Sequence, residues 1–313
     1  MPRTAYAPLA AFLVLCLLGS LGPLRSEFAS TITSFALPPW LTLALPYLFA
    51  ALLAVACALL GRLPWLSASH ARSAAFIGLG LFVVPTLALR LPQPWIDPFT
   101  QVILLALVPV FAVVLEPHIA QPYTPARHAL VAALASAAGL LLVFPFQLPR
   151  TTTAAAAWLA ALLAVCIMAA AYCRATQLAA LIPSSSLAPF AAVASATSAT
   201  AFFLAGIVER AFHRTSAVPH TQLLWSTLID VPSLLLLFWL LPRLPASRIT
   251  TRFILSPLFS SLAGLILLQP ALTLRTTFGL VLATGGSAWL LLAPTSRPDA
   301  SSASLGLTDE PPL

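Results

Sequence analysis

Charge is what this sequence has least of. Only 7% of its 313 residues are charged, there are eight acidic residues in all, and no lysine occurs. A soluble globular domain carries roughly 25% charge. With 60% hydrophobic residues and a mean hydropathy of +0.99, the chain has too much apolar surface for any soluble core to hide, which points to an integral membrane protein. The four cysteines, Cys16, Cys57, Cys166 and Cys173, fall inside apolar runs and form no C-x-x-C pair, so neither a zinc site nor a disulfide framework is indicated. Also missing are the Gly-Lys-Ser/Thr of a P-loop, an H-E-x-x-H and a G-x-S-x-G, which excludes the usual routes to ATP-driven work, zinc proteolysis and serine hydrolysis. The histidines, His70, His118, His128, His213 and His220, are scattered without metal-ligand spacing. No metal and no cofactor is expected.

The net charge of +7 comes from fifteen arginines. They stand singly between apolar runs rather than in clusters, which is the pattern of loops flanking membrane spans and not of a nucleic-acid surface. Ten runs approach the roughly 20 residues that a spanning helix needs. They are Ala5–Leu24, Trp40–Leu60, Ala74–Leu91, Pro98–Ile119, Ala129–Phe146, Ala154–Cys173, Leu187–Val208, Leu223–Leu241, Ile249–Leu268 and Thr276–Ala293. Strands of a membrane barrel would alternate polar and apolar residues, and these runs do not. The breaks between runs are short and rich in proline and arginine, and several runs carry an internal proline (Pro46, Pro85, Pro109, Pro189, Pro232, Pro257), which membrane helices tolerate as kinks. The first run, with Arg3 ahead of it, resembles a secretory signal, but no small-x-small cleavage site follows and Leu13-Val14-Leu15-Cys16 makes a poor lipobox. It is read as a retained first span.

An internal duplication organises the chain. At one constant offset Pro109 matches Pro257, Phe111 matches Phe259, Gln121 matches Gln269 and Pro122 matches Pro270. One further residue of offset pairs Thr124 with Thr273, Leu141 with Leu290, Leu142 with Leu291 and Pro145 with Pro294. The expected architecture is all-α, with ten transmembrane helices forming two five-helix repeats over residues 1–146 and 154–294, a linker over 147–153 and a polar, acidic, disordered tail over 295–313. Because five is odd, tandem copies must insert with opposite orientations, the construction of many secondary transporters. Counting arginines with the N-terminus inside places nine of them (Arg3, Arg62, Arg72, Arg127, Arg174, Arg243, Arg248, Arg252 and Arg297) on the inner side and six on the outer. Both termini are therefore expected in the cytoplasm, with the chain in the inner membrane.

The segment Leu223–Pro294 resembles the drug/metabolite transporter superfamily, in particular its EamA-like ten-helix members. Leu240 to Ser247 resembles the short linker into that family's ninth helix, and Ser256-Pro257-Leu258-Phe259 resembles its Pro-Val-Phe motif. Gly279, Gly285 and Gly286 stand where the tenth helix is rich in glycine, and Leu18-Gly19-Ser20 is similar to a Trp-Gly-Ser of the first helix. Gln121 and Gln269 depart from the family pattern, which has a glutamate there. The resemblance implies movement of small metabolites or drugs and does not fix a substrate.

Ionisable groups deep in lipid are functional candidates by default. Asp230, in Thr227-Leu228-Ile229-Asp230-Val231-Pro232, stands out, either to bind a cation or cycle a proton, or else as a neutral carboxyl bonded to a neighbouring helix. Glu116, with His118 beside it near the end of the fourth run, has two readings, a gate or proton acceptor in the cavity and an interfacial side chain. Ser20 beside Gly19, and Ser195, Thr197 and Ser198 in the seventh run, either line a wet cavity or serve helix contact. Arg90, Asp97 and Arg252 lie near run ends and read as anchors, with Arg90 and Asp97 able to pair. The glycines from Gly279 to Gly286 read as structural.

Together these features describe a secondary-active transporter, an exporter of small organic metabolites or drugs that works by alternating access. Its partners would be a small-molecule solute with a coupled proton or ion, and the lipid bilayer, without nucleic acid; a homodimer is compatible with the pattern. One rival reading is a membrane enzyme acting on lipid-linked substrates through Glu116, His118 or His70. Another is a transporter-like protein that no longer transports and serves as a membrane partner. Five spans separate Arg150 from Pro294, so reporter fusions after these two residues should report opposite sides of the membrane; equal sides would break the topology.

Overall fold

The computed structural model describes residues 6–21, 34–37, 39–92, 95–119, 127–211, 216–269 and 273–292. The chain is a bundle of helices. In order these are α1 (Tyr6–Ser20), α2 (Pro39–Leu60), α3 (Ala68–Arg90), α4 (Pro98–Ile119), α5 (Arg127–Val143), α6 (Thr152–Leu181), α7 (Leu187–Ala211), α8 (His220–Leu240), α9 (Ala246–Leu268) and α10 (Leu274–Leu292). Six of them, α2, α3, α4, α6, α7 and α9, are long and apolar enough to cross a membrane; α1 and parts of α5 and α8 are shorter apolar helices. The outer surface carries large apolar side chains such as Leu52, Leu159, Leu163, Leu204 and Ile266, more than a water-facing surface presents in one molecule. The acidic tail and the Gln121-Pro122 turn lie outside the described residues.

Local chemistry explains where the helices begin and end. Thr151 caps α6, its hydroxyl accepting from the Ala154 amide at 3.2 Å, and Asp97 caps α4, its carboxylate accepting from the Phe99 and Thr100 amides at 3.1 Å each. The Asp97 carboxylate is thereby committed to its own helix rather than to Arg90, whose guanidinium lies 5.8 Å from the Trp40 ring centroid. Helix α6 runs eight residues past the expected Cys173, because Ala, Leu, Gln and Arg favour helix there, and it stops ahead of Pro183. Three helices are interrupted. α3 passes through a π segment at Leu79–Val83 just before Pro85, α4 breaks at Ala106-Leu107 before Pro109, and α9 breaks at Thr251 ahead of Pro257. A proline removes one amide donor and clashes with the preceding turn, and each break accommodates that nearby.

One element was not foreseen. Ser34–Leu37 (β1) and Ser216–Pro219 (β2) pair antiparallel, tying the connection before α2 to the connection before α8. A ladder satisfies backbone groups that a loose connection would leave bare.

Helix pairing defines the bundle. The most extensive contacts run between α2 and α7 and between α5 and α10. Around them α4 packs on α6 and α1 on α9; α3 on α6 and α1 on α8; α3 on α7 and α2 on α8; α4 on α5 and α9 on α10. In lipid, helices associate through close backbone approach at small residues, and the α5–α10 seam shows it. A Cβ on Gly286 would meet the Ser136 hydroxyl at 2.4 Å and the Ala132 carbonyl at 2.7 Å, and one on Gly139 would meet the Ala283 amide at 2.4 Å. Gly279 approaches the Gly139 carbonyl similarly, whereas Gly285 faces open space. The structural reading of this glycine segment therefore holds for Gly279 and Gly286. Gly286→Ala should destabilise the protein by about 1–3 kcal/mol through overpacking, while Gly285→Ala should be neutral or slightly stabilising; thermal unfolding of the two detergent-solubilised variants checks the contrast.

Candidate functional site

A cavity of about 400 Å³ lies inside the bundle between α1, α2, α3, α4, α8 and α9. Its lining residues fall within a few positions of the end of α1 (Leu18, Gly19) and the start of α2 (Leu43, Tyr47), so it sits toward that end of the molecule. Most of the wall is apolar. Asp230 and Arg252, joined by the Ser233 and Ser256 side chains, bring the polarity. Asp230 is half-buried in the middle of α8, two residues before Pro232. A carboxylate at this depth belongs in a polar interior rather than against lipid, and the helix turns it inward.

Arg252 is the residue that the sequence reading placed wrongly. Counted there as an anchor near a run end, it stands instead in the cavity wall just after the break in α9. Its Nη2 donates to the Tyr172 hydroxyl of α6, and its guanidinium lies 4.8 Å from the Phe253 ring centroid and 5.5 Å from that of Tyr172. Ring faces and a phenol oxygen replace part of the hydration that burial removes from the cation. Tyr47, tilted against Phe82 at 5.0 Å, lines the same cavity as Asp230 and Arg252. The cavity thus offers both signs of charge, aromatic faces and a predominantly apolar wall, the makeup of a small-molecule site.

Two proline breaks shape that wall. Leu105 and Phe253 both line the cavity, each four residues ahead of a proline, Pro109 and Pro257 respectively. A proline cannot bond the carbonyl four residues earlier, so the backbone here is irregular where it borders a cavity, as membrane proteins permit.

Comparison with known proteins bears on the fold. A solved structure described as "Crystal structure of protein" overlays the chain with a TM-score of 0.68, covering 90% of it and 96% of the other chain at 15% sequence identity. At that identity the likeness shows the fold alone. No protein-family model matches the sequence, and no curated protein does.

The remaining sequence candidates lie elsewhere. Glu116 is 1% exposed, neither at the cavity nor snorkelling to an interface. Its Oε1 accepts from the Ala246 amide at 2.8 Å, Ser247 adds hydrogen bonds from side chain and backbone, and Arg248 lies near enough to act on the carboxylate. Helix α9 follows Pro245, which has no side-chain cap to give, so a carboxylate from α4 does the capping and meets the positive end of the helix dipole. His118 is exposed and His70 half-buried on another groove of about 570 Å³ between α3, α4 and α6, rimmed by Arg174 and Gln177. Among the described residues no three His, Cys, Asp or Glu come together as a metal site. Ser198 donates to the Gly78 carbonyl at 3.1 Å and the Ala194 carbonyl at 2.9 Å, Thr197 donates to the Val193 carbonyl at 2.8 Å, and the Ser195 hydroxyl is buried without a partner. Of these, Ser198 serves the α3–α7 contact, where a Cβ on Gly78 would meet the Ala194 carbonyl at 2.3 Å. Ser20 donates to the Leu17 carbonyl at 2.7 Å, and its own carbonyl accepts from Ser260 of α9; it borders the cavity through its neighbour Gly19.

Glu116→Ala should leave the first amides of α9 without an acceptor and destabilise the protein by about 1–3 kcal/mol. Glu116→Gln keeps a carbonyl oxygen in place and should lose less. Equal melting temperatures for the wild type and Glu116→Ala would remove the capping role.

Proposed function

We propose that this chain is a secondary transporter that moves a small organic solute across the inner membrane by rocking two helix groups about the Asp230/Arg252 cavity, both termini being cytoplasmic. The observation that carries this reading is the pairing of the helices. Exchange every helix with the one five places along, and the pairs α2–α7 and α5–α10 map onto themselves. α4–α6 becomes α1–α9, α3–α6 becomes α1–α8, α3–α7 becomes α2–α8, and α4–α5 becomes α9–α10, and all of these pairs occur; α4–α9 also maps onto itself, while the smaller contacts α6–α9, α7–α8 and α5–α9 have no counterpart of like extent. An inverted five-helix repeat would generate such a pattern, and the matched prolines of the sequence fall in register with it. Leu105 and Phe253, related by the same offset as Pro109 and Pro257, meet in one cavity.

The exchange sorts six helices into two trios, α3/α4/α6 and α1/α8/α9, which meet where α4 packs on α9, with α2–α7 and α5–α10 as the frame beside them. Alternating access needs two such bodies around a fixed site. The energy source is a gradient of protons, ions or solute, since the chain has no P-loop. The resemblance of Leu223–Pro294 to EamA-like members of the drug/metabolite transporter superfamily supports the same reading and implies export. The lipid-linked enzyme reading would work through Glu116, His118 or His70; of these Glu116 caps a helix and His70 borders a separate groove.

The test is solute flux into and out of proteoliposomes holding the full chain, screened with a metabolite panel at several pH values. Flux of at least one solute above empty liposomes is expected, and no movement of any panel member would count against transport. If Asp230 carries the coupled proton, Asp230→Asn should abolish the pH dependence while leaving the protein folded, because an amide matches a protonated acid in size. An Asn variant with unchanged pH-dependent flux would end the role of Asp230 as the proton carrier.

A further inference from the structure

Arg252 does two things at once. It lines the cavity, and it holds Tyr172. These two residues belong to opposite trios, α9 on one side and α6 on the other. A second bond crosses the same divide, from the Ala246 amide at the start of α9 to Glu116 near the end of α4. Both crossings join the early turns of α9 (Ala246, Arg252) to the later halves of α4 and α6 (Glu116, Tyr172), and the cavity extends from Arg252 toward Leu18 and Leu43. They pin the floor of the site.

The two crossings differ in replaceability. Glu116 is buried and bonded to a helix terminus, out of a solute's reach. Arg252 stands in the cavity wall, and its bond ends on the neutral phenol of Tyr172, buried behind that wall. A guanidinium presents a planar fork of donors that matches a carboxylate or phosphate with two parallel bonds, and a bond with both partners charged is roughly twice as strong as a neutral one. An anion entering the cavity therefore competes with Tyr172 for Arg252 on favourable terms. A ligand shifts a conformational equilibrium only through differential affinity, and such competition supplies it: the anion binds best where the Tyr172 bond is already broken.

We propose that the solute carries a carboxylate or phosphate-type anionic group, that Arg252 is its recognition residue, and that the exchange of Tyr172 for the anion unlocks the floor between the two trios. This rests on the transporter reading above and assigns the solute class and the coupling step within it. Asp230 shares the cavity, so the anionic end must lie on the Arg252 side, away from the carboxylate.

Native cysteines give the readout. Cys173 is fully buried next to Tyr172, within the electrostatic reach of Glu116, whereas Cys57 is exposed. In nanodiscs holding the full chain, N-ethylmaleimide alkylation would be followed peptide by peptide in mass spectrometry with benzoate, phenyl phosphate, benzylamine and benzyl alcohol as probes. At least one anion should accelerate Cys173 alkylation roughly tenfold, the shift expected from losing one hydrogen bond to a charged group, with Cys57 unchanged and the amine and alcohol silent. In Arg252→Gln the anion effect should vanish. Tyr172→Phe should raise the ligand-free rate and make added anions redundant, and it carries the test alone should Arg252→Gln not fold. Acceleration by benzylamine instead, anion acceleration that persists in Arg252→Gln, or silence of both anions overturns the proposal. Silent anions with a faster Tyr172→Phe would leave the rocking transporter standing without the anion assignment. Silence of every probe and of Tyr172→Phe, together with no solute flux, would take down the transporter reading itself.

Discussion

The absence of water in a bilayer governs this molecule. A backbone amide or carbonyl in hydrocarbon must find its partner within its own segment, so the long apolar runs become helices. Irregular backbone is admitted only where it faces an internal cavity. The breaks in α4 and α9 obey that rule: both come beside the cavity, at Leu105 and at Arg252 and Phe253. The same constraint sends the rare charged side chains inward. Asp230 shares the cavity, Arg252 leans on Tyr172 and Phe253, and Glu116 ends at the start of α9. Low charge content and well-placed charge are thus one fact, because each ion in such an interior needs a specific reason to be there.

Contact between helices follows a different logic. Lipid tails are as apolar as leucine, so leucine facing leucine gives no preference for protein over bilayer. Close approach decides instead, and it occurs at Gly78 against Ala194, Gly139 against Ala283 and Gly286 against Ser136. The frame helices α5 and α10 are held by the smallest residues they own. Cavity helices α1 and α9 also approach closely at small residues, Gly19 against Ser256, and room opens only where Asp230, Arg252 and the aromatic rings face inward.

Much of the fold was legible in the sequence. Hydropathy located each helix to within a few residues, save the first six residues of α3 and the last eight of α6, where helix-favouring but partly polar residues carried the helix beyond the apolar run. Asp230 was legible because a lone acid in an apolar run has few other uses. Arg252 was not, since an arginine six residues into a helix reads like an anchor, and the partner that explains it, Tyr172, lies eighty positions away on another helix. Glu116 was misread for the same reason: its terminus at Ala246 is 130 positions distant. Ser195, Thr197 and Ser198 show a limit of another kind. Small hydroxyls at helical spacing suit a wet wall and a tight seam equally well, and only the neighbouring helix, here α3 through Gly78, tells which is present.

The two-stranded ribbon has a consequence for how this protein can diversify. Ser34–Leu37 and Ser216–Pro219 hold the approaches to α2 and α8 together through main-chain bonds, which are indifferent to the identity of the side chains. The two connections can therefore drift in sequence while the distance between them stays set by the ladder. Substitution there leaves the main-chain spacing between the approaches to α2 and α8 unchanged.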